Sequence, residues 1–162
     1  MDKQILTVKK AIQIIHELKK QNKRIVLAGG CFDILHIGHV EYLEKAKKEG
    51  DVLFVMLESD EAVKHIKGDN RPIHKQQERA YMLSSLSVVD YVILLPRLET
   101  DQKYDTLISQ IRPSVIAITK GDPYKNKKQK QARSVGGKLV EVTKTISNKS
   151  TTRLAQILSL EN

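Results

Sequence analysis

The sequence predicts an α/β fold, a doubly wound parallel sheet of about five strands with helices on both faces. Three observations lead there. Short β-rich runs alternate with segments of helical apolar spacing, the pattern of strand–helix–strand units. The 162 residues suit one domain, with 40% hydrophobic and 29% charged side chains as in globular chains. The first β-rich run, residues 24–28, is almost wholly apolar after its arginine, as a strand covered on both faces must be.

Taken in order, Ile5, Val8, Ile12, Ile15 and Leu18 recur at helical spacing and predict an amphipathic helix over residues 3–22. Residues 24–28 form the first strand and run into Gly29-Gly30. Val40, Leu43 and Ala46 share one face of a helix over residues 37–49, which Gly50 stops before a second strand at 52–57. Ser59 and Asp60 can cap a helix reaching about residue 66. A helix over about 75–86 turns Ala80, Leu83 and Leu86 inward. Residues 91–95 are the third strand, ended by Pro96, and 105–111 a helix stopped by Pro113. Residues 115–118 form the fourth strand, 139–142 the fifth, and 152–160 the last helix.

A chain of this length buries roughly two-thirds of its unfolded surface, so it needs no disulfide or metal staple. Cys31 is the only cysteine, which excludes an intramolecular disulfide and a cysteine-based zinc site. No apolar run approaches the ~20 residues of a membrane span. The N-terminal apolar stripe is broken by lysines, unlike the solid apolar block of a signal peptide. A reduced, soluble, cytoplasmic protein without a membrane role is expected.

The net charge of +9 is concentrated. Residues 1–24 carry +5, residues 120–133 another +5, and the remainder sums to −1. A nucleic-acid binder would spread its positive charge along one face, and 4% aromatic residues with no Trp supply few stacking platforms. The lysine-rich segment is either a solvated loop or short helix, or a lid over an anion; Lys125, Lys127, Lys128 and Lys130 have no neighbouring pattern to hold them.

Ligands in doubly wound sheets sit at the carboxyl ends of the strands, where strand order reverses. Directly after the first strand stands Gly30-Cys31-Phe32-Asp33-Ile34-Leu35-His36-Ile37-Gly38-His39. Gly38 lets a ligand approach the backbone without a Cβ in the way. The helix start offers N–H groups and a positive dipole end, and His36 and His39 add imidazole donors on one face. This is a phosphate cradle without a Walker lysine. A zinc site on the two histidines lacks a third ligand at a sensible spacing.

GCFDILHIGH resembles the GxFDxxHxGH signature of the cytidylyltransferase-like nucleotidyltransferases, whose fold is Rossmann-like. The HxGH element also occurs in class I aminoacyl-tRNA synthetases, which are far longer. The residues from Ser59 to Leu95, DTLISQIRPSVIAITKGDPY and the closing Ser150-Thr151-Thr152 are similar to bacterial heptose 1-phosphate nucleotidyltransferases, which make ADP- or CDP-heptose. The resemblance implies one nucleotidyltransferase domain over residues 1–162, with residues 1–23 packed on it as a helix.

Residue by residue, the resemblance implies that Gly30, Cys31 and Phe32 lie against the nucleotide through the backbone, and that Gly38 lets it approach. It gives His36, His39 and Lys67 the triphosphate and the charge developing at the α-phosphorus. Lys120, Gly121 and Asp122 would line the nucleotide pocket, and Ser150, Thr151 and Thr152 would cap the phosphates. Asp33, Arg71 and Arg79 would serve the second substrate. Plainer readings stand beside these: Ser150 to Thr152 as a helix N-cap, Arg79 in a surface pair with Glu78, Lys67 as a cation at a helix C-terminus, Cys31 as a small buried residue, and Asp33 as a brace of its turn.

The implied reaction joins a nucleoside triphosphate, ATP or CTP, to a phosphorylated small molecule with release of pyrophosphate and help from Mg²⁺. An acceptor phosphate is already a nucleophile, so alignment and charge neutralisation suffice. Glycerol 3-phosphate, heptose 1-phosphate, another sugar phosphate and FMN remain possible acceptors. Pro123 departs from the KGGDY usual in the sugar enzymes, ISNKSTT is two residues longer than ISTT, and Thr143-Lys144 stand where the cytidylyltransferases carry arginine. A homodimer is expected from related enzymes and from the length of the N-terminal apolar stripe. A basic nucleic-acid module and a non-catalytic nucleotide sensor are the rival readings.

Overall fold

The computed structural model describes residues 4–144 and 151–160. The chain runs β1 (Ile5–Thr7), α1 (Val8–Lys20), β2 (Ile25–Gly30), α2 (Ile37–Lys47), β3 (Val52–Leu57), α3 (Asp60–Lys67) and α4 (Gln76–Ser84). It continues β4 (Tyr91–Leu94), α5 (Asp101–Ile111), β5 (Val115–Thr119), α6 (Lys125–Ser134), β6 (Lys138–Thr143) and α7 (Thr151–Leu160).

The strands form one parallel sheet in the order β1-β4-β3-β2-β5-β6. From β2 the chain winds outward through β3 to β4, then returns to the other side of β2 for β5 and β6. The switch point therefore lies between β2 and β5, whose carboxyl ends open there.

Alternation along the strands builds a core on each face. Val26, Ala28, Leu53, Val55, Val115 and Ala117 join Leu43 and Ala46 of α2 and Leu83 of α4. Ile25, Leu27, Phe54, Ile116 and Ile118 meet Ile15 of α1 and Leu107, Ile108 and Ile111 of α5 on the other. Truncating one of these buried aliphatics to alanine should destabilise the fold by about 2–5 kcal/mol. The entry to β6 is tight: a Cβ on Gly137 would stand 2.3 Å from the Pro113 carbonyl oxygen, so only glycine fits.

The doubly wound parallel sheet matches expectation, with two corrections. Among the described residues the sheet has six strands rather than about five. The added strand opens what the apolar spacing presented as one helix over residues 3–22: residues 5–7 pair with Val92, Ile93 and Leu94, and the helix starts only after the Thr7 cap. Pairing with the β4 edge satisfies backbone groups that a longer helix would have bonded internally. The stripe expected to seek a partner subunit is used within the chain, with Ala11 and Ile15 fully buried. The lysine-rich segment is the helix α6, and its buried Ala132 packs against the sheet.

Candidate active site

The segment from Gly30 to His39 leaves β2 beside the switch point. A Cβ on Gly30 would lie 2.9 Å from the Phe32 ring, which is itself held against His39 (5.1 Å between centroids) and Tyr42 (6.5 Å). Phe32 takes a left-handed φ of 45° and buries its ring, so only its backbone can meet a ligand. The Tyr42 hydroxyl donates to the Ala117 carbonyl at 2.7 Å, tying α2 to β5 across the switch point.

His36 is the N-cap of α2, and its Nδ1 accepts from the Gly38 amide at 3.1 Å. That bond fixes the neutral ring as the Nε2–H tautomer, leaving the far nitrogen as a donor. It also occupies the Gly38 N–H, which the sequence suggested would be open to an anion. The His36 and His39 rings stack at 3.8 Å. Burial, His36 and the charge of Lys67 together push His39 down to about 3. Burial and Lys67 also lower His36. Both imidazoles are therefore neutral at pH 7 until a negative charge arrives; His36 keeps its Nε2–H as a donor, while a bond to the Ile34 backbone pulls His39 the other way. Lys67, exposed at the end of α3, is brought by the fold within electrostatic reach of both rings and of Cys31.

Asp33, Arg71 and Arg79, expected at the second substrate, sit in hydrogen-bond networks that brace the surrounding loops. The Asp33 carboxylate is fully buried and accepts from Arg71 Nε (2.6 Å), the Ile73 amide (2.9 Å) and the His74 amide (3.0 Å). Burial alone would raise Asp33, but the His74 and Ile73 amides and Arg71 outweigh it and hold the carboxyl low. Arg79 has no exposed surface. It donates to the carbonyls of His74 (3.0 Å), Cys31 (2.6 Å) and Glu58 (2.9 Å) and to the Asp60 carboxylate (2.7 Å). One guanidinium thus pins the loops after β2 and β3 to the start of α4, and the surface pair with Glu78 does not form. Arg71 keeps one buried nitrogen, Nη2, without a partner among the described residues.

On the other side of the switch point, Lys120 follows β5 and its amide donates to the Thr143 carbonyl at 2.6 Å. Its side chain lines a cleft of about 400 Å³ with Glu41 and Lys45 of α2 and residues 141–144. Gly121 turns the chain at a φ of 82°. Asp122 accepts from the Tyr124 amide and from Lys128, both at 2.7 Å, so its carboxylate closes its own loop. Three of the four outer lysines are held after all: Lys128 by Asp122, Lys127 by Asp101 and Lys125 by Glu141. Thr151 and Thr152 open α7; Ser150 lies outside the described residues.

Sequence reasoning missed Glu58, Tyr104 and Gln76. Gln76 Nε2 bridges the carbonyls that end β3 (Leu57, 3.0 Å) and β4 (Leu95, 2.9 Å). Glu58 was findable, because it is the first residue after β3 and strand ends of such sheets carry the ligand.

A parallel sheet whose switch point carries two stacked histidines at a glycine-containing helix start is a Rossmann-like arrangement. The chain belongs to the cytidylyltransferase-like family, whose model matches residues 27–157. It is 46% identical over 143 residues to the bifunctional protein HldE of a Nitratiruptor species, and 41% identical over 148 residues to that of Aliarcobacter butzleri. These alignments cover 88% and 91% of the chain but only 29% of either relative. Among solved structures, a lipopolysaccharide core biosynthesis protein from Thermoplasma volcanium superposes with a TM-score of 0.64 at 28% identity, covering 76% of this chain and 98% of that one. Pantoate–β-alanine ligase from Francisella tularensis shares the fold, with a TM-score of 0.63 at 17% identity over 97% of this chain and 77% of its own.

Proposed function

We propose that the chain transfers AMP from ATP to a sugar 1-phosphate, D-glycero-β-D-manno-heptose 1-phosphate in the first instance, with release of pyrophosphate. The observation that carries this reading is the stacked pair of neutral histidines beside Lys67 at the switch point, in a chain more than 40% identical to part of the HldE proteins. An oxygen of the acceptor phosphate attacks the α-phosphorus, and the bond from that phosphorus to the β-phosphate bridging oxygen breaks. No general base is needed, because the attacking oxygen is already ionised. The His36 Nε2–H, the His39 ring and Lys67 meet charge as it moves onto pyrophosphate. The arriving triphosphate raises both histidine pKa values by the same electrostatics that Lys67 uses to lower them.

Among the described residues no three metal-ligating side chains converge, and the groups at the histidine helix start are two imidazoles beside the Lys67 ammonium. These residues do not fit a resident metal. Magnesium accordingly enters as part of the substrate, bound by triphosphate oxygens and water.

The cleft beside Lys120 supports nucleotide binding by Lys120 and Gly121, with Asp122 shaping the loop. Residues 1–162 are read as one nucleotidyltransferase unit. A cytoplasmic homodimer is also part of this reading; the unpaired Cys31 supports a reducing compartment, and the exposed Ile66, Ile73 and Tyr81 offer apolar contact area. The test is a pyrophosphate-release screen of ATP and CTP with Mg²⁺ against heptose 1-phosphate, other sugar 1-phosphates, glycerol 3-phosphate and FMN. Turnover should be greatest with ATP and heptose 1-phosphate. Preference for FMN or glycerol 3-phosphate would overturn the acceptor assignment.

A further inference from the structure

Glu58 is an acidic side chain at the strand ends that neither the phosphate chemistry nor the bracing of the loops uses. It follows β3, and its amide bonds the Gly30 carbonyl at 3.2 Å, so it stands directly beside the histidine loop. Its carboxylate is half-buried, and both oxygens accept from the Tyr104 hydroxyl of α5, at 2.9 and 3.0 Å. Burial pushes Glu58 up; Tyr104, Lys128 of α6 and Arg79 of α4 pull the other way. Tyr104 is raised by burial and by Glu58, and also feels Cys31 and Tyr124. Cys31 links this group to the phosphate end, since it feels Glu58 as well as the Lys67 that reaches both histidines.

As a tie between β3 and α5 the pair is a poor device. A carboxylate has about four lone-pair positions, and one phenol supplies a single hydrogen. Half-burying a carboxyl group is unfavourable unless donors reach its oxygens, and among the described residues the Tyr104 hydroxyl is the one that does, with Lys128 and Arg79 acting through their charge alone. Nor can the carboxylate serve the triphosphate, which it repels. Hydroxyl groups satisfy both constraints: they donate to the free lone pairs, accept from a phenol, and carry no charge.

We propose that Glu58 and Tyr104 form the subsite that reads the hydroxyl groups of the acceptor, beside Cys31 and next to the histidine end of the site. The assignment rests on the sugar-phosphate reading above and adds which residues select a polyhydroxylated acceptor. Phosphate chemistry stays with His36, His39 and Lys67, and discrimination among acceptors is set by a separate carboxylate–phenol pair.

The experiment measures KM for heptose 1-phosphate and for ATP separately in the full chain, in Glu58→Gln and in Tyr104→Phe. Methyl phosphate serves as an acceptor without hydroxyls. Glu58→Gln should raise the heptose 1-phosphate KM about tenfold or more, the loss of a charged hydrogen-bond acceptor. Tyr104→Phe should raise it about threefold, as for a neutral bond. The ATP KM should stay within about twofold, and methyl phosphate should be used equally poorly by all three proteins. An unchanged heptose 1-phosphate KM, or both KM values rising together, would overturn the subsite. If Glu58→Gln fails to fold, Tyr104→Phe, which deletes one oxygen, decides alone by the same split. Wild-type protein that ignores every sugar phosphate but adenylylates another acceptor would overturn the proposed function instead.

Discussion

The two halves of the strand-end surface handle polar residues in opposite ways. Around β2 and β3, Asp33 and Arg79 are spent on backbone groups from distant loops and see no solvent. Beyond β5, Lys125, Lys127 and Lys128 each meet one carboxylate near the surface. The first half is a braced frame around the histidine loop, with Lys67 exposed beside it. The second is a solvated rim whose charges can rearrange. Charged residues in a motif therefore divide by burial: the buried ones hold the shape, and the accessible ones stay open to a ligand.

The largest way to break this contrast is Arg79→Met, which leaves three carbonyls and the Asp60 carboxylate without their donor. Loss of a buried, hydrogen-bonded charge predicts destabilisation by about 3–5 kcal/mol, read by urea unfolding. A loss below about 1 kcal/mol would mean that the frame does not depend on this residue.

Next in size, His39→Ala should lower kcat about 100-fold with little change in the ATP KM, because the charge it meets grows in the transition state. An equal rise in KM with kcat intact would place its contact in the ground state.

His39 also makes a pH prediction. Its folded value near 3 lies below the ordinary value near 6.5, so below pH 6.5 the unfolded chain takes up a proton that the folded chain refuses. The neutral ring's contribution is thus complete above pH 6.5 and is lost as pH falls toward 3. His39→Gln should flatten the acid decline of stability across that window, measured by denaturant midpoints without ligand. A parallel decline in the variant would remove His39 as its source.

The smallest effects should come from the rim, and they sharpen the contrast there. Lys128→Ser breaks a partly buried pair with Asp122 and should destabilise by about 1 kcal/mol. Lys127→Ser should produce no measurable change in unfolding or in kcat/KM at physiological salt, because its pair with Asp101 is exposed and screened. The reverse order would show that the outer end of α6 lies over the site.

Much of this was legible in the sequence, for identifiable reasons. Gly30 to His39 could be read because its residues are close in sequence and each has its own physical use. The sheet could be read because Ile25–Gly30 and Val115–Thr119 are apolar enough to be covered on both faces. β1 was hidden because three residues of a helical-looking stripe join the sheet only through pairing with β4, far along the chain. Arg79 looked like a surface residue because most of its acceptors are backbone carbonyls, which no side-chain pattern announces. Glu58 and Tyr104 are 46 residues apart and meet only once β3 and α5 are packed.

On the proposed function, the acceptor's own phosphate oxygen attacks the α-phosphorus of ATP at the histidine helix start. The most direct measurement uses heptose 1-phosphate carrying ¹⁸O on its phosphate, with ATP and Mg²⁺, followed by ³¹P NMR and mass analysis of the products. All of the label should remain in the ADP-sugar, with one unlabelled pyrophosphate released per molecule formed. Label appearing in pyrophosphate or inorganic phosphate, or pyrophosphate formed without acceptor, would contradict the claim.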